Sequence, residues 1–146
     1  MLNAAARDVA LACEAWLVAL RVKRMLAVRG LAESVAWAET VSVAALREMD
    51  NDVACRMGRV VNLTCRFCVM SSTCLTRSLT LKRLFTRRGV PSQLKIGIRI
   101  EEAKALAAHA WLEVNGAPVN DRSDIAADFH VVPLDEALKA STFIDA

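Results

Sequence analysis

Three side chains able to carry out nucleophilic catalysis occur in the order cysteine, histidine, aspartate. Cys74 precedes His109 by 35 residues, and Asp121 follows the histidine after 12 more. A thiol attacks a carbonyl carbon once a base accepts its proton, and an acid can hold that base in the required orientation. The three residues therefore have the composition of a cysteine-nucleophile site.

The element predicted around Cys74 favours its reactivity. Ser71 or Ser72 is a suitable N-cap, which places Cys74 in the first turn of a helix that ends at Gly89. The partial positive charge at a helix start favours the thiolate. The unpaired N–H groups there can also bind an oxyanion.

The charge of the chain is unevenly distributed around this helix. The net charge is +3, yet residues 53–100 contain ten Lys/Arg and no Asp/Glu. Such a surrounding also favours a thiolate. The last basic residues of the block are expected to form a solvated helix face: Lys82, Arg83, Arg87 and Arg88. Nucleic-acid binding is the weaker interpretation, because the chain has no Tyr and this block has only two Phe.

The periodicity changes from helical to extended along the chain. Helices are predicted at 3–29, 34–49 and 53–63, and again from Cys74, followed by strands at 94–100, 108–114, 117–121 and 129–132 and a last helical turn. This order predicts an α+β fold in which N-terminal helices and the Cys74 helix pack on a small antiparallel sheet. We expect one compact domain with a helical subdomain at 1–63 and a catalytic core at 64–146.

The first helix has a continuous apolar face that is predicted to be buried: Val9, Cys13, Trp16, Leu17 and Leu20. The segment is not expected to span or enter a membrane, because Arg7, Asp8 and Glu14 interrupt it. It also lacks the pattern of a signal peptide. We therefore expect a cytoplasmic protein with reduced thiols.

The geometry of the predicted hairpin at Asn115-Gly116 determines whether Asp121 can contact His109. A two-residue turn would pair Ala110 with Asp121, so that Asp121 points away from His109. Asn120 and Asp124 would share the face of His109 instead. A role for Asp121 therefore predicts a three-residue loop or a bulge, with Asn120 and Asp124 as the alternative partners of the imidazole.

Four cysteines lie within twenty residues, and Cys65 and Cys68 have the spacing of a metal knuckle. A structural zinc site pairs two such knuckles, and Cys55 with Cys74 would make an irregular second pair. We therefore predict no metal and interpret Cys55, Cys65 and Cys68 as buried or loop thiols. No cofactor is predicted, and a nucleotide requirement stays open.

Three stretches resemble one known family: TCLTRSLTLKRLFTRRGV, LKIGIRI and AHAWLEVNGAPVND. Together they are similar to the lasso peptide leader peptidases, the microcin-processing family of transglutaminase-like cysteine proteases. The resemblance implies a transglutaminase-like or papain-like core. It also implies Cys74 as nucleophile, His109 as base and Asp121 as orienting acid. The implied reaction is the removal of the leader from a ribosomally made precursor before macrocyclisation.

The same resemblance implies partners. The chain looks like the stand-alone form of the peptidase, which depends on a small leader-binding protein and hands the core peptide to a lasso cyclase. Trp111 shares the strand face of His109 and is expected to bind substrate or shield the site, with a core aromatic as the alternative. Two other functions stay open: transglutaminase-like acyl transfer, and a non-catalytic peptide-binding subunit.

Overall fold

The computed structural model describes residues 3–40, 45–102 and 106–144. The helices are α1 (Ala4–Glu39), α2 (Asn51–Cys68), α3 (Cys74–Arg87) and α4 (Leu134–Ile144). The strands are β1 (Gln93–Ile100), β2 (Leu106–Val114), β3 (Ala117–Pro118) and β4 (His130–Val132). They form one antiparallel sheet in the order β3-β2-β1-β4, which confirms the predicted α+β class.

Helix α3 is the centre of the fold. It contacts α1, α2 and strands β1 and β2, and Leu79, Leu84 and Phe85 on it are fully buried. The helix begins after Thr73, whose hydroxyl accepts a hydrogen bond from the N–H of Thr76 at 3.2 Å. The predicted cap at Ser71 or Ser72 was therefore wrong by one or two positions.

Of the four basic residues predicted to form a solvated face, only Arg87 is exposed. Lys82 is only 8% exposed. Arg83 donates to the carbonyl of Trp37 at 3.1 Å and lies 4.7 Å above its ring, while Arg88 pairs with Glu14 at 2.6 Å. Because α1 covers this side of the central helix, Lys82, Arg83 and Arg88 contact α1, and the exposed Arg87 also pairs with Glu14 at 3.0 Å.

Helix α1 combines the first two predicted helices. It runs from Ala4 to Glu39 and kinks at Gly30, after the predicted end of the first helix, with a φ of 77° that favours glycine. The predicted helix at 34–49 therefore ends ten residues early, and 45–50 is not helical. Val41, which was assigned to this helix, lies outside the described residues.

Helix α1 also buries the opposite face to the predicted one. Its core contacts come from the small residues Ala15, Val18, Ala19 and Val22. Leu17 is 61% exposed. Both faces of α1 are apolar, and the face with the smaller side chains lets the helix approach α3 more closely, which increases dispersion contacts.

Helix α2 extends to Cys68, beyond the predicted end at residue 63. The domain boundary drawn between residues 63 and 64 therefore falls inside a helix. Helix α2 packs on both α1 and α3, so the N-terminal helices and the helix of Cys74 share one core. Among the described residues, no helix is both long and apolar enough to cross a membrane.

Candidate active site

Cys74 lies in the first turn of α3, as the sequence predicted; it is the first residue of the helix, and its side chain is partly exposed. The N-cap hydroxyl of Thr73 is used by Thr76. The first backbone hydrogen bond of the helix runs from Arg77 N–H to the carbonyl of Thr73 at 3.1 Å. The thiol therefore lies beside the unpaired N–H groups of a helix start.

His109 and Asp121 are in direct contact. The Nε2 atom of His109 lies 2.6 Å from Oδ2 of Asp121, and the two side chains are 21% and 22% exposed. The second carboxylate oxygen accepts from the N–H of Arg122 at 2.8 Å. Within the described part of the chain, Nδ1 of His109 has no hydrogen bond, so this atom is available to exchange a proton with a thiol.

Aromatic rings hold the imidazole in place. The ring of Phe129 stacks on His109 at 5.2 Å, and Trp111 lies 6.2 Å away on the same strand face. On β1, Gly97 pairs with His109, and a Cβ there would lie 2.6 Å from Cβ of Phe129. The absence of a side chain at Gly97 therefore makes room for Phe129.

Trp111 does not line an open groove. Its side chain is fully buried, and its indole N–H donates to Glu113 at 3.0 Å. Direct substrate binding by Trp111 does not fit this burial. Shielding of the imidazole does, because the indole packs beside His109 and Phe129.

The turn between β2 and β3 is regular, so the predicted irregularity there was wrong. Val114 pairs with Ala117 and Glu113 with Pro118, as a two-residue turn at Asn115-Gly116 requires. Strand β3 then ends, after a further bond from Val119 N–H to the carbonyl of Leu112 at 2.9 Å. Asp121 reaches the histidine because the chain leaves the sheet, without a bulge.

One face of α2 draws the chain out of the sheet. The thiol of Cys55 lies 3.9 Å from the carbonyl oxygen of Pro118, and Asn62 donates to the carbonyl of Asn120 at 2.8 Å. Between them, Gly58 faces the carbonyl of Val119 so closely that a Cβ would lie 1.9 Å from its oxygen. Three successive carbonyls thus contact one helix face.

The side chain of Asn120 pairs with the edge of β2 at the point where β3 has ended. Its Oδ1 accepts from the N–H of Leu112 at 2.8 Å, and its Nδ2 donates to the hydroxyl of Ser78 at 2.9 Å. Ser78 in turn donates to the carbonyl of Ala110 at 3.0 Å. Ser78 lies one helical turn after Cys74, and Ala110 follows His109, so these bonds join the start of α3 to the histidine segment of β2.

The two alternative partners of the imidazole lie elsewhere. Asn120 is occupied by Leu112 and Ser78, while the Asp124 side chain is 70% exposed and lies 3.8 Å from Arg122. Sequence reasoning missed the contributions of Ser78 and Gly58. The sequence signals were a glycine inside a predicted helix and a serine among the apolar residues of the Cys74 helix.

The family follows from the comparison of the whole chain. Residues 16–133 match the model of the transglutaminase-like superfamily. The chain belongs to this superfamily.

A curated relative of this transglutaminase-like chain is the microcin J25-processing protein McjB of Escherichia coli. The two are 33% identical over 64 residues, which cover 44% of this chain and 29% of that protein. The chain thus matches less than a third of the length of this relative. No solved structure gives a significant match. The resemblance drawn from the motifs is confirmed at this low identity.

The remaining cysteines of this transglutaminase-like chain have different surroundings. Burial raises the pKa of Cys65 to about 11, so this thiol stays protonated at neutral pH. Cys13 and Cys68 are exposed. In the ranges that the structure describes, no three Cys, His or acidic side chains form a group that could hold a metal ion.

The close approach at Gly58 gives a testable consequence. Glycine to alanine inside a helix ordinarily stabilises it by up to about 1 kcal/mol. Here we expect Gly58→Ala to destabilise the protein by about 1–3 kcal/mol, because the new methyl group would overlap the backbone of Val119. Urea denaturation measures the change, with Arg59→Ala at the next, exposed position as control. A Gly58→Ala protein that is more stable than the wild type would contradict the close approach.

Proposed function

We propose that this chain is a cysteine peptidase that removes the leader from a lasso peptide precursor before macrocyclisation. The observation that carries the proposal is the 2.6 Å contact between His109 Nε2 and Asp121 Oδ2, on the strand that is joined to the helix of Cys74. The similarity to a protein named for processing a microcin supports the choice of substrate.

In this mechanism Asp121 fixes the tautomer of the base. It accepts the Nε2 proton of His109, which leaves Nδ1 as the acceptor for the Cys74 proton. The thiolate attacks the carbonyl carbon at the leader–core junction and forms a tetrahedral oxyanion. The Cys74 N–H at the helix start is our candidate for one oxyanion donor.

The intermediate then collapses to products. His109 gives its proton to the nitrogen of the core peptide as the C–N bond breaks, which leaves the leader as a thioester on Cys74. A water molecule, deprotonated by His109, hydrolyses the thioester and releases the leader as a carboxylic acid. The net change is hydrolysis of one peptide bond, and it requires no cofactor.

The proposal includes partners and a compartment. A small leader-binding protein would present the precursor, and a lasso cyclase would consume the freed amine of the core peptide. The reaction would take place in the cytoplasm, where the thiol stays reduced. Nucleic acid and membrane lipid have no part in the proposed reaction.

Acyl transfer is the second candidate, because superfamily membership is compatible with it. The same Cys74, His109 and Asp121 would form the thioester, and an amine would replace water as its acceptor. A non-catalytic peptide-binding subunit is the third candidate, and it would make no thioester.

Incubation of the precursor in water enriched in oxygen-18 separates these candidates. The reaction contains this chain, the precursor and its leader-binding protein, and the products are identified by mass spectrometry. We expect free core peptide and a leader whose new carboxylate carries one oxygen-18 atom. A leader joined to an amine without the label would show acyl transfer. Intact precursor in the presence of a partner shown to bind it would overturn the proposal.

A further inference from the structure

We infer that Asn120 and Ser78 are positioning residues that align the thiol of Cys74 with the imidazole of His109. The inference rests on the proposed function, since it assigns a task within that site. Neither side chain touches the reacting atoms, and both would act through the elements that they join.

The edge of β2 requires partners at the point where β3 ends. Val119 pairs with Leu112 through the Leu112 carbonyl, so the N–H of Leu112 and the carbonyl of Ala110 lie on the same edge. Buried backbone groups without partners are costly. The Asn120 amide and the Ser78 hydroxyl satisfy these two groups at 2.8 and 3.0 Å.

The bond from Ser78 to Ala110 attaches the helix of the nucleophile directly to the strand of the base, and Asn120 is bonded to both elements. Ser78 is fully buried, and its hydroxyl accepts from Asn120 while it donates to Ala110, the residue after His109. Displacement of this hydroxyl would shift the first turn of α3, which carries Cys74. Misplacement of reacting groups by about 1 Å can cost about 100-fold in rate.

Asn120 also positions Asp121, the third residue of the site, because it immediately precedes it in the chain. Its carbonyl is held by Asn62 of α2 at 2.8 Å, while its side chain is held by β2 and α3. The backbone that carries Asp121 thus starts from a residue fixed by three elements. Asn120 is therefore attached to each of the segments that carry Cys74, His109 and Asp121.

The chemistry of both side chains fits this role. The position of Asn120 needs an acceptor toward Leu112 and a donor toward Ser78, which a carboxamide supplies and a carboxylate does not. The position of Ser78 needs a group that donates and accepts at once, which a hydroxyl supplies. Asn120→Asp keeps only the acceptor, and Ser78→Ala removes the whole group.

Site-resolved alkylation of the full chain by iodoacetamide tests the inference without a substrate. We expect Asn120→Ala and Ser78→Ala each to slow alkylation of Cys74 at pH 7 about 10-fold, with Asn120→Asp between Asn120→Ala and the wild type. The exposed Cys13 and Cys68 in the same sample are internal references, and their rates should not change. Asn51→Ala is the matched control, since it removes a 3.0 Å Asn115–Asn51 bond at the turn of the same hairpin.

Cleavage kinetics complete the test. If the two residues act as one unit, Asn120→Ala/Ser78→Ala should lose no more kcat than either single variant, and KM should stay unchanged. Unchanged alkylation and kcat in folded single variants would overturn the inference while wild-type cleavage upholds the proposed function. Equal slowing of alkylation at Cys13, Cys68 and Cys74 would also overturn it. So would a double variant whose loss of kcat equals the combined losses of the two single variants. Wild-type protein that does not cleave would overturn the proposed function. The alkylation rates of Cys74 in the variants would still test whether Asn120 and Ser78 align it with His109.

Discussion

Replacing Cys74 with alanine is expected to abolish leader removal while leaving the fold intact. The proposed thioester requires the sulfur, and loss of a catalytic nucleophile costs about 10⁴-fold or more in kcat. Cys74 is only partly buried at the start of α3, so the smaller side chain leaves no large cavity. Mass spectrometry of the freed core peptide over time measures the loss, and circular dichroism confirms the fold.

Cys68→Ala is the matched control for this experiment. Cys68 is the last residue of α2 and is exposed, six residues before Cys74. We expect its alanine variant to cleave at the wild-type rate. A Cys74→Ala protein that still supports full leader removal would show that Cys74 is not the nucleophile and would favour the non-catalytic subunit.

Asp121→Asn should give the second largest loss. The amide has nearly the shape of the carboxylate, so its contact with His109 can persist at a similar distance. The amide carries no charge, however. It therefore no longer keeps the imidazole in the tautomer that has its proton on Nε2 and leaves Nδ1 free to act as a base. In a comparable acid–histidine–nucleophile site this change lowers kcat about 10⁴-fold. We expect a loss of about 10²- to 10⁴-fold in kcat with little change in KM, measured by initial rates on the precursor.

Asp124→Asn serves as the control for the acid. Asp124 was an alternative partner of the imidazole, but its side chain is 70% exposed and lies beside Arg122. The variant should therefore cleave like the wild type. A larger loss from Asp124→Asn than from Asp121→Asn would mean that the histidine uses a different acid during the reaction.

The parts of the site that depend on local sequence could be predicted. The alternation after Pro91 predicted β1, and Asn115-Gly116 predicted the position of the turn between β2 and β3. The break before α3 placed Cys74 in the first turn of its helix. Each of these features depends on neighbours within a few residues, whose propensities the sequence displays directly.

The approach of Asp121 to His109 could not be predicted in this way. It depends on where β3 ends, and that is set by Gly58 and Asn62 on a helix about sixty residues earlier in the chain. Pairing rules continue a strand until another element removes it. The register argument therefore required a three-residue loop or a bulge. In the structure the turn at Asn115-Gly116 is regular, and the chain leaves the sheet after Val119.

The orientation of α1 was wrong for a related reason. Periodicity identifies an apolar face, but α1 has two, and Leu17 lies on the one that is exposed. Ala15 and Ala19 lie on the other, where close packing on the central helix decides the outcome. The burial of Lys82 has the same origin, since a charge pattern does not show that another helix covers it.

The central position of α3 has a consequence for local unfolding and amide hydrogen exchange. Backbone amides exchange with solvent by local opening at frayed ends and mobile loops, whereas those of an enclosed element exchange only when the whole domain unfolds. Leu79, Leu84 and Phe85 are fully buried on the helix that carries Cys74. Beyond its first turn, this helix therefore belongs to the most slowly exchanging part of the chain. Local opening of the periphery is therefore expected to leave the body of α3 folded beneath the turn that carries Cys74.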